Sequence, residues 1–254
     1  MMPIRSTIAA LATVLALGAA PAVQAQSVQE FVKAFSGQWY VFDPAYASAK
    51  DPCAISLEDT GEGEPVRYKA ASSNCVTPVS GLKKWYIDEG MLHLLDASDS
   101  VIIRLGGNQS RITGEIEGTQ RAVIVERAAG SQETAALAEA IRKHRCIYVG
   151  FTSDCAKKED LAEPAMTEDG GVYASVGIVA RMNVRSQPRS DATVIGVLNE
   201  GICLKVNFCT TASDGIWCRA RFGEDAGWVR KTALRQSEWP VMTFANSCSD
   251  AAGG

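Results

Sequence analysis

Residues 84–95 read Lys84-Trp85-Tyr86-Ile87-Asp88-Glu89-Gly90-Met91-Leu92-His93-Leu94-Leu95. Two β-rich runs, Lys84 to Ile87 and Met91 to Leu95, flank Asp88-Glu89-Gly90, residues that tolerate tight or left-handed turn geometry. The stretch is therefore a hairpin. The same alternation runs outward from it, upstream through Trp39 to Phe42, Ala54 to Leu57 and Val66 to Ala70, and downstream through Val101 to Leu105, Arg111 to Glu117 and Ala122 to Glu126. Ala97-Ser98-Asp99 and Gly106-Gly107-Asn108 supply further turns. Eight short strands in succession predict an all-β domain, an eight-stranded antiparallel barrel closed so that no edge is left free. With no ligand partner near it in sequence, His93 reads as a structural or surface residue of its strand.

The whole chain has 254 residues, 46% apolar, 21% charged and 7% aromatic, which excludes disordered and collagen-like classes. Its formal net charge of −4 gives no general attraction to nucleic acid or anionic lipid. Only two histidines, His93 and His144, are present, which leaves little material for a metal site or a general base. Gly-x-Ser-x-Gly, Gly-x-x-x-x-Gly-Lys, His-Glu-x-x-His and Gly-x-Gly-x-x-Gly are absent from the sequence. The expectation is a protein that is not an enzyme and has no metal or cofactor.

Residues 1–25 open on a short positive start, Met1 to Arg5, continue through an apolar segment, Ile8 to Ala20, and end on Val23 and Ala25 at small-residue cleavage positions. This reads as a secretory signal peptide, with a mature chain beginning at Gln26 in a periplasmic or secreted setting. The apolar segment falls short of the ~20 residues of a membrane span, so no transmembrane anchor is expected. Export gives the cysteines their meaning. All eight follow the cleavage point, an even number without a Cys-x-x-Cys pair, and in an oxidising compartment they predict a disulfide framework.

Charge divides the mature chain. Residues 26–130 carry 10 basic and 14 acidic side chains, whereas residues 174–236 carry 9 basic and 5 acidic ones. The first segment is the predicted barrel. Residues 131–173 hold a predicted helix, Thr134 to Arg145, and a polar linker, Glu159 to Gly171, broken by Pro164 and Gly170-Gly171. Arg142, Lys143, His144 and Arg145 suit the negative end of that helix, which accounts for His144 without catalysis. Residues 174–236 form a second domain, and 237–254 a C-terminal tail.

Several features of the first domain occur together and in order. They are Phe35-Ser36-Gly37-Gln38-Trp39, Cys53-Ala54-Ile55-Ser56-Leu57, Cys75, Trp85, Gly90 followed by Leu92-His93-Leu94-Leu95-Asp96, and a closing strand from Ala122 to Arg127. Over about residues 27–128 the chain resembles the alkaline proteinase inhibitors of secreted bacterial metalloproteases. The resemblance implies an eight-stranded, lipocalin-like barrel with a Cys53–Cys75 disulfide and no catalytic residues. It also implies an extended N-terminal trunk, here Gln26, Ser27, Val28, Gln29 and Glu30, that enters the cleft of a metalloprotease. Such blocking needs no chemistry from the inhibitor, because a rigid body presents a short segment whose ordering cost is largely met in advance.

Local signals compete at that segment. Val28, Phe31, Val32 and Phe35 recur at i, i+3, i+4 and i+7, the spacing of an amphipathic helix, and Ser27 stands where it would cap one. Gln26, as a new N-terminus, can also cyclise to pyroglutamate and lose its amine. Free plug and packed helix both stand as readings of the sequence.

In the second domain, Met182-Asn183-Val184-Arg185-Ser186-Gln187-Pro188 is followed by Val194-Ile195-Gly196-Val197-Leu198, Gly201, Trp217-Cys218-Arg219-Ala220 and Gly227-Trp228-Val229. This run resembles the bacterial SH3 (SH3b) family, with Gln187 in place of the family's usual Gly. The resemblance implies a small separate barrel that binds peptidoglycan or another peptide ligand through an aromatic groove, with Trp217 and Trp228 as candidates. The same two residues also read as core. Cys209 and Cys218 flank the turn Ala212-Ser213-Asp214-Gly215 and are candidate cross-strand partners, Cys146 and Cys155 are spaced to close a local loop, and Cys203 and Cys248 remain. The connectivity stays open at this stage.

Overall fold

A computed structural model of the chain describes residues 27–119, 121–127, 132–222 and 225–248. The segment read as a signal peptide, 1–25, and Gln26 lie outside the described residues.

The first half is the closed barrel. Its strands are β1 (Gly37–Val41), β2 (Cys53–Glu62), β3 (Arg67–Ser73), β4 (Lys84–Asp88), β5 (Met91–Leu95), β6 (Val101–Gly107), β7 (Arg111–Ile116) and β8 (Ala122–Glu126), each antiparallel to the next. Pairing of Tyr40 with Glu126 joins β1 to β8 and completes the ring. At the β4–β5 hairpin, Asp88 faces Met91 across a two-residue turn in which Glu89 and Gly90 have φ of 49° and 77°. Positive φ at both central positions matches the right-handed twist of the strands, so the turn sets the register of the pair.

Inside the barrel, Trp39, Trp85, Val41, Leu82 and Ile103 are fully buried. The two indoles keep their N–H groups satisfied, Trp39 donating to the Phe35 carbonyl at 2.7 Å and Trp85 to the Glu58 carbonyl at 2.9 Å. Tyr46, also buried, donates its hydroxyl to the Ala122 carbonyl at 2.9 Å. Burial pushes that phenol up to about 12, with Arg121 acting against it.

Strand β8 differs from its neighbours in that all five of its residues are buried. Val123 and Val125 face the barrel core, whereas Ala122 and Ile124 pack with Ala212, Trp217 and Trp228 of the second half. An apolar run with no polar alternation is what a strand covered on both faces requires.

The second half holds a seven-stranded sheet in the order β12-β11-β15-β14-β13-β10-β18. Its members are β10 (Ala174–Ile178), β11 (Met182–Arg185), β12 (Val194–Leu198), β13 (Cys203–Ala212), β14 (Gly215–Phe222), β15 (Asp225–Arg230) and β18 (Phe244–Ala245). A smaller sheet combines β16 (Thr232–Arg235), β17 (Trp239–Met242) and β9 (Tyr148–Val149). Two strands therefore lie in the segment read as a tail, and one in the segment read as helix and linker. Phe244 is fully buried and Val241 and Met242 nearly so, and burial of that apolar run binds the tail to the module.

Two helices complete the described chain: α1 (Val28–Phe35) and α2 (Gln132–His144). The end of α2 packs through His144 on Trp239, with ring centroids 4.4 Å apart, and near Tyr148.

All eight cysteines are bonded, as Cys53–Cys75, Cys146–Cys155, Cys203–Cys248 and Cys209–Cys218. The last pair sits directly across the β13–β14 ladder, and Cys203–Cys248 ties the chain end to the start of β13. On the chain-entropy picture, a closed loop the size of that between Cys53 and Cys75 contributes about 3 kcal/mol. Among the described residues no helix is long and apolar enough to cross a membrane.

Candidate functional site

Three places carry the residues singled out by sequence: the barrel mouth under α1, the contact between the two halves, and a cleft in the second half.

At the mouth, the N-terminal segment is helical. Ser27 caps α1, its hydroxyl accepting from the Glu30 N–H at 3.3 Å while the Glu30 carboxylate accepts from the Ser27 N–H at 2.9 Å. This reciprocal box satisfies two backbone donors that a helix start would otherwise leave unpaired. Val32 and Phe35 are buried in the barrel core, and Phe31, Phe35 and Trp39 form a stack with centroids 6.3 and 6.2 Å apart. Arg127 lies over the Trp39 ring, 4.0 Å from its centroid, and donates to the carbonyls of Ala34 and Ser36 at the other end of the helix. Of the two arrangements open to Ser27, Val28, Gln29 and Glu30, the structure has the packed one: they are the cap and first turn of a docked helix. The reason is local, since cap, box and apolar spacing all favour helix there. All four nevertheless face solvent. Val28 is 52% exposed beside Val66, 47% exposed, above a hollow of about 470 Å³ that Pro65, Tyr68 and Ile87 also line.

The contact between the halves holds both tryptophans of the expected groove. Trp217 is 2% exposed and Trp228 8%, and both pack with Ala122 and Ile124 of β8, while Trp217 also reaches the wall of the cleft in the second half and Trp228 that of a hollow shared with Met91, Gln187 and Pro188. Around them lies a buried ionic clamp. Arg111 reaches from β7 to Glu126 of β8 at 2.7 Å and to Asp214, in the β13–β14 turn, at 2.8 Å. Its remaining nitrogen donates to the Pro188 carbonyl at 3.0 Å. Asp214 also accepts from the Trp217 indole at 2.9 Å and from Arg230 at 2.9 Å, while Glu126 accepts from the Ser213 N–H and hydroxyl, both at 2.7 Å. Burial alone would raise the Asp214 carboxyl, but Arg111 and Arg230 overcome that and hold it below the usual carboxylate range. Asp43 adds a further link, accepting from the Thr210 hydroxyl at 2.8 Å. At the rim, Arg219 pairs with Glu115 at 2.7 Å and Asn108 donates to Asp191 at 2.7 Å. Two carboxylates and two guanidiniums in this arrangement neutralise one another and join the two halves.

The third place is a cleft of about 410 Å³ whose walls include Arg181, Arg185, Arg230, Arg235, Phe151 and Glu133. Of these, Arg185 was quoted in a sequence motif without a role. Trp217, a groove candidate from the sequence, reaches the cleft wall as well; Glu133, Phe151, Arg181, Arg230 and Arg235 come from separate parts of the chain, and no local pattern announces their meeting.

The described residues contain no group of three or more His, Cys, Asp or Glu side chains placed to hold a metal ion. His93 stacks on Tyr86 with centroids 4.5 Å apart, and burial together with nearby Arg104 lowers its pKa. It is therefore neutral near pH 7 and sits apart from all three places.

Comparison with known proteins identifies one segment of the chain. No curated protein matches the sequence. Residues 179–236, from the loop before β11 to the end of β16, match the family model described as the bacterial SH3 domain.

Proposed function

We propose that this chain is an exported inhibitor-like protein that blocks a secreted or periplasmic metalloprotease by steric occupation, through the segment Gln26 to Glu30, while its SH3-like module binds an envelope component or peptide. It acts by occupation and not by catalysis. The observation that carries the reading is the closed barrel, whose N-terminal approach ends in a solvent-facing turn beside a hollow lined by Val28, Val66, Arg67 and Asp88. A capped first turn is a small obstacle to insertion, because an N-cap interaction is worth about 1 kcal/mol and a protease cleft offers an extended segment several main-chain hydrogen bonds. Four disulfides suit the oxidising setting in which such a target works.

A second reading is a non-inhibitory protein that binds or scaffolds the cell envelope, with the barrel as a structural unit. The capping box favours it, since it gives the N-terminal segment a satisfied resting state. One experiment separates the two. The mature protein is titrated against a panel of secreted zinc endopeptidases, beside a variant lacking residues 26–30. Val32 and Phe35 remain in that variant, so the barrel keeps its lid. Inhibition by the intact chain, weakened at least about tenfold by the deletion, supports the plug. Full protease activity at large molar excess of intact chain, with retained binding to purified sacculi, supports the second reading.

A further inference from the structure

The family resemblance pointed to a groove at Trp217 and Trp228; both are buried against β8, and Trp217 also reaches the wall of one cleft of the module. That cleft is lined also by Arg181, Arg185, Arg230 and Arg235. It is a composite: Phe151, Glu133 and Val241 lie outside residues 179–236, so the elements packed onto the SH3-like part build much of its wall.

Four guanidiniums meet one lining carboxylate there. Arg230 is committed, bonded to Asp214 at 2.9 Å and paired with Glu133 at 3.5 Å. Among the described residues Arg181, Arg185 and Arg235 have no carboxylate within ion-pair distance. Arg185 is half-buried, and burial lowers its pKa, so its charge lies where water compensates it poorly. Three of the four are held in place beforehand. Arg185 donates to the Ala192 carbonyl at 2.8 Å, Arg235 lies 5.5 Å from the Phe151 ring centroid, and Arg230 lies 5.6 Å from that of Trp217. Planar guanidiniums fixed in this way match the two oxygens of a carboxylate, and their prior ordering lowers the cost of binding. Between them the lining mixes apolar Phe151, Met182, Leu234 and Val241 with polar Asn183, Ser190 and Thr243. That mixture suits a peptide side chain beside a charged end better than a small inorganic anion.

We propose that this cleft binds a peptide by a carboxylate, with the guanidiniums of Arg181, Arg185 and Arg235 receiving it and Phe151 and Leu234 covering the neighbouring side chain. The proposal rests on the ligand-binding role given to the module and names the chemistry that the role uses.

Three probes test it by calorimetric titration of the full mature chain: acetyl-Ala-Leu-Ala with a free C-terminus, acetyl-Ala-Leu-Glu-amide with only a side-chain carboxylate, and acetyl-Ala-Leu-Ala-amide with none. At least one carboxylate peptide should bind about tenfold or more tightly than the uncharged one, and which of the two does so tells a terminal from a side-chain carboxylate. The double variant Arg181→Gln with Arg235→Gln should lose that preference. Both positions lie outside the buried clamp, and an unchanged unfolding midpoint will show that the fold is intact. Equal affinity for all three probes, or a preference that survives the double substitution, overturns the proposal. Sedimentation with purified sacculi reports the module's broader role separately. Sacculi binding without carboxylate preference sinks the cleft alone, whereas loss of both sinks the role on which it rests.

Discussion

Arg111 shows how much one side chain can decide. It is buried with Glu126 and Asp214, and removing one partner of a buried pair leaves an uncompensated charge, at a cost of about 3–5 kcal/mol. Arg111→Ala should lose stability on that scale in urea unfolding at pH 7. Asp214 gives the pH dependence. Its folded pKa is below its unfolded one, so its contribution is fully present above about pH 4 and is lost as the pH falls through the lower folded value. The deficit of Asp214→Asn against wild type should therefore shrink in unfolding curves taken below pH 4. Lys231 runs the other way. It is 1% exposed, with the Asn246 side-chain oxygen as its hydrogen-bond partner and the Phe244 ring 4.6 Å from its ammonium, and burial lowers its pKa from 10.5 to about 8. Between those values the unfolded chain binds more protons than the folded one, so folding becomes more favourable as the pH rises. From pH 7 to 10, wild type should gain on the order of 2 kcal/mol relative to Lys231→Met, read as the difference between their denaturation curves.

At the scale of elements, α1 and β8 carry the consequences. If the N-terminal segment must leave its helix to enter a protease, the helix competes with inhibition. Ser27→Ala removes the cap, worth about 1 kcal/mol, and should then strengthen inhibition up to several-fold, measured as an inhibition constant. An unchanged constant with faster amide exchange in α1 would show that unwinding is not part of the action. The eight barrel strands were legible from β-rich runs and turn residues alone, most of them because a strand has one face in and one face out. Ala122 to Val125 was legible as a strand, but its unbroken apolar run also signals a second cover, and no local rule names the cover. The helix spacing of Val28, Phe31, Val32 and Phe35 was equally plain in the sequence, where it stood against a reading imported from the family resemblance.

For the whole molecule, the apolar and ionic contact between barrel and module joins the two halves. Ile124→Asp puts an unpaired carboxylate against Trp217 and Trp228 and should uncouple the halves, with two calorimetric transitions replacing the single one expected of wild type. Alternation and turn chemistry, both short-range properties, determined by themselves that there is a barrel, and a run of motifs resembling a known family marked the SH3-like module that follows it. Tertiary structure alone decided that Trp217 and Trp228 face β8, that residues 239–242 and 244–245 are strands, and that arginines 181, 185, 230 and 235 share one cleft. Those outcomes depend on which surfaces meet once each half has folded. Burial energy and charge compensation act between residues far apart in the chain, and neither leaves a periodic trace along it.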